Sequence, residues 1–293
     1  MQFSRLRPGE VNRATKVMHY GSGKVLNVAV ALAHLESPVT TISPIGGPAR
    51  EAIDLEFSAL GISRHWVLTQ SSTRSCVTVL DEATGLTTEL VENVAPLTAD
   101  EHAEFLQIFS HEAPTATLAV LTGSLSQVTP IDFYRQLLQA SGTPAILDAR
   151  GPELLAALDQ RPLLVKPNRE ELSMTLGQEL DYADDVWQGI QQLVERGAQN
   201  VLVTSGTQPA LLYHGGQRYL VHPALAKPTV NPIGCGDCLT AGIAASLARN
   251  QNLIEAVQFG MAAAAENATQ LLAARIAPAN VAARMPQVRI ERV

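Results

Sequence analysis

The second half of the chain alternates short apolar runs with helical patterns. "TLAVLTGSL" (117–125), "PAILDAR" (144–150), "PLLVKPN" (162–168) and "NVLVTSG" (200–206) have strand length and are nearly continuous in apolar residues. Between them, "FYRQLLQAS" (133–141), "PELLAALDQ" (152–160), a stretch from Arg169 and "DVWQGIQQLVERG" (185–197) carry their apolar residues at helical spacing. Strands without strict alternation are those buried on both faces, as in a parallel sheet covered by helices. The pattern therefore predicts an α/β fold, doubly wound, with a mostly parallel sheet flanked by helices.

Two stretches break that rhythm. "STRSCVTVLDEATGLTTELVEN" (72–93) reads as two β-rich arms around "DEATG", a hairpin with no helix between them. "GEVNRATKVMHY" (9–20) reads as an extended strand. Together they predict a small antiparallel β lid over one edge of the main sheet. With no linker, repeat or low-complexity tract, residues 1–293 are expected to form a single domain bearing this lid. The alanine-rich tract at 261–274 is interrupted by Glu266, Asn267 and Gln270 and reads as a core helix. No stretch reaches the ~18 uninterrupted apolar residues of a membrane span.

Composition narrows the partners. Of 293 residues, 46% are hydrophobic but only 4% aromatic, so the core must be mostly alanine, valine, leucine and isoleucine. A net charge of −7 with no basic run argues against nucleic acid or a membrane surface as partner, and leaves phosphorylated small molecules open. The three cysteines, Cys76, Cys235 and Cys238, are too few for a disulfide framework. With no apolar leader in "MQFSRLRPGEVNR", the expected location is the cytoplasm.

Chemistry concentrates in "TVNPIGCGDCLTAGIAASLA" (229–248), where two glycines and an acid stand at the mouth of an apolar helix. A helix N-terminus presents unpaired N–H groups and about half a positive charge, and glycine lets an anion approach the backbone. Gly234, Cys235 and Gly236 thus suit a phosphate. Asp237 beside that anion is unfavourable unless the acid is needed, and a general base taking a hydroxyl proton needs it. The plainer alternative is an aspartate in the first turn that caps the helix. Cys235-x-x-Cys238 lacks the second Cys or Cys/His pair of a zinc site, so small residues filling tight space account for both cysteines.

"NPIGCGDCLTAG" resembles the C-terminal signature of the ribokinase-like (PfkB) carbohydrate kinases, and is most similar to the 1-phosphofructokinase and tagatose-6-phosphate kinase branch. The resemblance implies that Asp237 is the catalytic base and that the 234–236 amides form an anion hole. "GSGKVLNVAVALAHL" (21–35) resembles the first family motif, placing Lys24 and Asn27 at the substrate. "STRSCVTV" resembles the lid strand whose arginine holds the sugar's own phosphate, a role that falls to Arg74. "LLVKPNREEL" resembles the "KPN-x-x-E" segment: Lys166 would approach nucleotide phosphates, and Asn168 and Glu171 would support Mg²⁺–ATP, Glu171 through metal-bound water. "VTSG" (203–206) places Thr204 and Gly206 near ATP, and Ser124 in "LTGSLSQ" is a weaker candidate. The likeness implies ATP and Mg²⁺ as cofactors, a phosphorylated ketohexose as substrate and a homodimer through the lid. A non-catalytic binder of sugar phosphate or nucleotide on the same scaffold is the alternative. A nicotinamide-binding enzyme would need Gly-x-Gly-x-x-Gly after the first strand, which is absent.

The sequence departs from the family twice. Val25 stands where glycine is usual, so crowding of the sugar or a forbidden positive φ is expected there. Relatives also open with an apolar strand and "NPA-x-D", whose aspartate binds sugar hydroxyls, and this chain starts beyond that point. Either the start lies too far downstream, or a strand and a substrate contact are missing.

Overall fold

The computed structural model describes residues 1–126 and 128–293. Gln127, the last residue of the "LTGSLSQ" segment, lies outside them. The first third of the chain forms β1 (Gln2–Phe3), α1 (Lys24–His34), β2 (Thr40–Ile45), α2 (Ala49–Ala59), β3 (Ser63–Leu68), β4 (Cys76–Asp81) and β5 (Leu86–Val91). The regular alternation follows: α3 (Ala99–Glu112), β6 (Ala119–Thr122), α4 (Phe133–Ser141), β7 (Ala145–Asp148), α5 (Gly151–Ala157), β8 (Leu164–Val165), α6 (Arg169–Leu176), α7 (Ala183–Glu195) and β9 (Val201–Ser205). The last third holds β10 (Gln208–His214), β11 (Gln217–His222), α8 (Cys235–Ala248), α9 (Leu253–Asn267), α10 (Pro278–Arg284) and β12 (Arg289–Arg292).

Strands β6, β7, β8 and β9 pair in parallel, as their continuous apolar runs require. The same sheet continues through β10, β11 and β12 in antiparallel pairs, a half that the apolar runs did not announce. Neighbouring strand residues bury on opposite faces. Ile146 joins a core with α1, α8 and α9, whereas Leu147 joins a second core with α3, α4, α5 and α7. Two apolar layers thus sandwich the sheet, as a doubly wound fold demands. Helix α8 is nearly all alanine and apolar residues and is buried from Asp237 to Ser246, so it packs inside the protein rather than on its surface. Among the described residues no helix is long and apolar enough to cross a membrane.

The hairpin expected at 72–93 forms as β4 and β5, antiparallel. Its third strand differs from expectation. Residues 9–20 are not a strand; only Lys16 makes an isolated bridge, to Gln2. The chain instead adds β1, parallel to β4. Pro8 and Gly9, with φ +81° at Gly9, break the extended backbone, and Gln2 rather than a long arm takes the available edge. The alanine-rich helix also ends early, at Asn267, whose side chain turns back to bond the loop around Ile233 and Ala274.

Candidate active site

The loop before α8 is held open by asparagines at both flanks. Asn231 Oδ1 accepts from Ile233 N at 3.0 Å, and Asn267 Nδ2 donates to Ile233 O at 2.8 Å. Gly234 enters the helix at φ +81°, and a Cβ there would sit 2.9 Å from Ala273 Cβ. Both the backbone sign and the lack of room call for glycine. Gly236 faces Lys166, whose Nζ would lie 3.7 Å from a Cβ built on it. The helix opening is therefore a concave run of amides with an ammonium group beside it, a place for an anion.

Asp237 sits in the first turn of α8, where the helix dipole favours its charge. Burial works harder in the other direction. The residue is 7% exposed, and desolvation outweighs the Asn27 hydrogen bond, raising its pKa to about 6. Nearby Asp148 adds to the rise, while Lys24 and Lys166 oppose it. Asn27 Nδ2 donates to Asp237 Oδ2 at 2.7 Å, so the ligand-free carboxylate is covered on that side.

Behind Asp237 lies a compact charge network. Asp148, at the carboxyl end of β7, pairs with Lys166 Nζ at 3.0 Å and Lys24 Nζ at 3.4 Å, and accepts from Thr240 Oγ1 at 3.2 Å. Burial pushes its carboxyl up, but the two lysines outweigh that and hold it below the usual range. Lys24 also reaches Glu171 Oε1 at 3.1 Å. Burial alone would lower the Lys24 pKa; Asp148 and Glu171 reverse that and raise it. Glu171 Oε2 accepts from Asn168 N at 2.9 Å, while Asn168 Oδ1 accepts from Glu171 N at 2.7 Å. That reciprocal pair is a capping box, so both residues start α6 whatever else they do.

The predicted residues thus fall into groups. Asp237, Gly234, Cys235, Gly236, Asn27, Lys24, Lys166, Asn168 and Glu171 lie in one contiguous cluster. Lys24 turns toward Asp148 and Glu171. Arg74 stands apart at the base of the lid, bonded to Glu92 O at 3.4 Å, and lines the same cavity as Gly23, Lys24 and Ser124. Thr204 bridges Asn168 through the backbone, and Gly206 lies exposed in the turn after β9. Val25 has no positive φ; it lies in the first turn of α1, and Gly23 takes φ +112° instead. The backbone restriction expected at Val25 does not arise. Its side chain approaches Gly123, where a Cβ would be 3.6 Å from Val25 Cγ2.

Three participants escaped the sequence reading. Asp148 ends an apolar strand, and strand carboxyl ends are where sites form in open α/β sheets, so that signal was available. Glu56 and Arg275 carried none. Glu56 accepts from Gly21 N at 2.6 Å and pairs with Arg275, whose guanidinium lies 4.7 Å from the Tyr20 ring centre. This trio fastens the start of the glycine loop to the segment behind α8. Asn267 sits between the two cysteines: Cys238 Sγ donates to Asn267 Oδ1 and Asn267 Nδ2 to Cys235 Sγ, both at 3.3 Å. Among the described residues no group of three or more His, Cys, Asp or Glu is placed to hold a metal ion.

The opening of α8, two lysines and a carboxylate of raised pKa thus gather at the strand ends of an α/β sheet. The chain belongs to the pfkB family of carbohydrate kinases, whose model matches residues 1–280. It is a sugar kinase. Its fold is similar to phosphofructokinase-2 from Escherichia coli in complex with fructose-6-phosphate, at 29% identity and TM-score 0.85 over 97% of this chain and 93% of that one. A possible 1-phosphofructokinase from Thermotoga maritima shares the fold at TM-score 0.90 and 20% identity, covering 100% of this chain and 95% of that one. A ribokinase from Arabidopsis thaliana, complexed with ribose and ATP, shares it at TM-score 0.74 and 21% identity over 97% and 94% of the chains.

Proposed function

We propose that this protein phosphorylates a hydroxyl of a phosphorylated ketohexose, of the fructose 1-phosphate, fructose 6-phosphate or tagatose 6-phosphate class, with ATP as donor. The observation that carries the reading is Asp237: a buried carboxylate with pKa near 6, one residue beyond the 234–236 amides. That value keeps it ionised near neutrality and still basic enough to take a proton. The acceptor hydroxyl meets Asp237 when the Asn27 amide yields its place or the free carboxylate oxygen is used. The 234–236 amides and Lys166 take up charge on the transferring phosphoryl group, and Lys24 exchanges its carboxylate partners for phosphate oxygens. Arg74 suits the phosphate already on the sugar, because a guanidinium can bind it bidentately.

Glu171, free of a dedicated metal cage, fits Mg²⁺, which keeps several waters and leans on one or two carboxylates plus phosphates. When bound, that ion supplies charge neutralisation on the nucleotide phosphates. Asn168 holds Glu171 in place by the capping box. The lid closes over the sugar end and keeps water from competing as acceptor. Its outer strand β5 exposes Leu86, Leu90 and Val91, an apolar edge that suits a dimer through the lid.

ADP release measured over a panel of sugar phosphates tests the reading. Asp237→Asn is expected to lower turnover by about 10²–10⁴ while ATP binding persists. Thermal stabilisation by sugar phosphates without ADP release in the parent chain would replace the kinase reading with that of a binder.

A further inference from the structure

Residues 17–23, "VMHYGSG", lead into α1 without helix or strand of their own. Gly23 takes φ +112°, a turn that few other residues allow. Among the described residues, the backbone from Val17 to Ser22 makes a single hydrogen bond, from Gly21 N to Glu56 Oε2. That bond is 2.6 Å long and joins residues 35 apart. A segment with few bonds of its own opens easily, so its position depends on this tether.

The tether bears on Asp237. Gly23 O accepts from Asn27 N at 2.8 Å, so the turn sets where α1 begins. Ser22 Oγ donates to Asn27 Oδ1 at 3.2 Å, which leaves Asn27 Nδ2 facing Asp237 Oδ2 at 2.7 Å. Lys24, next in the chain, carries the contacts to Asp148 and Glu171. A run of short links therefore leads from Glu56 to the Asp237 carboxylate.

Arg275 holds the other end. Its Nη2 pairs with Glu56 Oε1, and its Nη1 donates to Ala273 O at 2.6 Å. Ala273 packs against the turn at Gly234, where a Cβ would come within 2.9 Å of Ala273 Cβ. Ala274 N donates to Asn267 Oδ1 at 2.7 Å, and Asn267 Nδ2 donates to Ile233 O at 2.8 Å. Arg275 thus steadies the segment on which the opening of α8 rests. The guanidinium lies 4.7 Å from the centre of the Tyr20 ring, directly before Gly21 in the chain. Its planar fork bonds in two directions at once, which a lysine ammonium does less well. Both charges are partly buried, with 18% and 25% of their side chains exposed, so salt screens the pair less than one in open water.

We propose that Glu56 and Arg275 are positioning residues for phosphoryl transfer: their ion pair keeps the 21–23 turn and the 231–237 loop in register. The acceptor hydroxyl, Asp237 and the opening of α8 then meet at reacting distance. Both Glu56 oxygens are engaged, so the pair acts through the two loops rather than on the substrate. The inference rests on the kinase reading, and half of its test is read without turnover.

Glu56→Ala, Glu56→Gln, Arg275→Met and Arg275→Lys are compared with the parent chain. Glu56→Ala and Arg275→Met are expected to lower kcat by about 10–10², because a misplacement of about 1 Å costs that much. KM for ATP and for the sugar phosphate should each move by less than about threefold. Glu56→Gln keeps an acceptor for Gly21 N, and Arg275→Lys keeps the charge, so each recovers part of the loss. Glu56→Ala combined with Arg275→Met should lose no more than the worse single change, as residues acting as one unit do. Tm is measured for every variant. A kcat loss that merely follows Tm across the series, or losses that multiply in the double variant, make the pair structural and overturn the proposal.

Amide exchange in the ligand-free protein tests the coupling by itself. It is read by NMR at Gly21, Ile233 and Cys235, whose N–H groups are bonded in the two loops. Glu56→Ala should speed exchange at Ile233 and Cys235, and Arg275→Met at Gly21, each by about tenfold. Loosening confined in either variant to the loop that its own residue contacts overturns the proposal. A parent chain that releases no ADP with any sugar phosphate ends the kinase reading instead, so the two failures are separate observations.

Discussion

Asn27 Nδ2 and Asp237 Oδ2 are joined by a 2.7 Å hydrogen bond across 210 residues of sequence. This bond favours the ionised carboxylate and offsets part of the burial that pushes Asp237 up to about 6. Asn27→Ala is expected to move the Asp237 pKa higher still. The acid limb of kcat/KM, near pH 6 in the parent, then shifts toward neutrality. A limb that stays in place in the variant removes Asn27 from control of the base.

Asp237 also sets a stability cost with a defined sign. An unfolded aspartate titrates near 4, and this one near 6 in the folded protein. Between those values the folded state keeps a proton that the unfolded state has released. Stability therefore falls as pH rises through that window and stays lower above it. Two units correspond to a ceiling of about 3 kcal/mol. Asp237→Asn should raise Tm at pH values above about 7 and give little or no gain below about 4. Melting curves at both ends of the range check this, and a pH-independent difference would contradict it.

Asp148 is buried with its charge shared between Lys166 and Lys24. Removing the charge leaves Lys166, itself 3% exposed, without its ion-pair partner. Breaking a buried pair on one side costs about 3–5 kcal/mol. Asp148→Asn is expected to lose much of that in denaturant unfolding and to weaken nucleotide binding. Asp148→Asn together with Lys166→Met should recover part of the stability but not the binding. No recovery in the double variant would mean that the pair is not the source of the loss.

Arg74 is remote from the charge network and near the lid. Arg74→Ala is therefore expected to raise KM for the phosphorylated sugar by about tenfold or more, a loss of at least ~1.4 kcal/mol, with KM for ATP little changed. Steady-state kinetics with each substrate varied in turn separate the two. An equal rise in both would place Arg74 elsewhere in the mechanism.

The thiols differ sharply in access. Cys76 is exposed, whereas Cys238 is fully buried and Cys235 is held on Asn267. Burial raises the pKa of all three thiols, so access rather than thiolate content separates them. Iodoacetamide near pH 8 should label Cys76 well before the other two. Rapid labelling of Cys235 or Cys238, followed by mass spectrometry, would contradict this packing.

Much of the site was readable because its parts are local. The glycines and Asp237 lie within one turn of α8, and Asn168 with Glu171 within one turn of α6, so short spacing already implies proximity. The lid hairpin was equally plain, since its two arms are neighbours in sequence. The third lid strand was not. Whether 9–20 or Gln2–Phe3 pairs with β4 depends on which edge is reached first, and no local pattern carries that. The antiparallel half, β10 to β12, mixes apolar and polar residues less regularly and closes on a strand from the far end of the chain.

The sequence by itself determined the alternation of strands and helices and the glycine-rich opening of α8 with Asp237 in its first turn. These follow from periodicity and from residue types within a few positions. Only the tertiary structure decided that Asp148 binds both lysines, that Asn27 covers Asp237, and that Glu56 holds the Gly21 amide. Each of those depends on burial and on contacts between distant segments, and the free energy of a charge or a backbone amide is set by what surrounds it rather than by its neighbours in the chain.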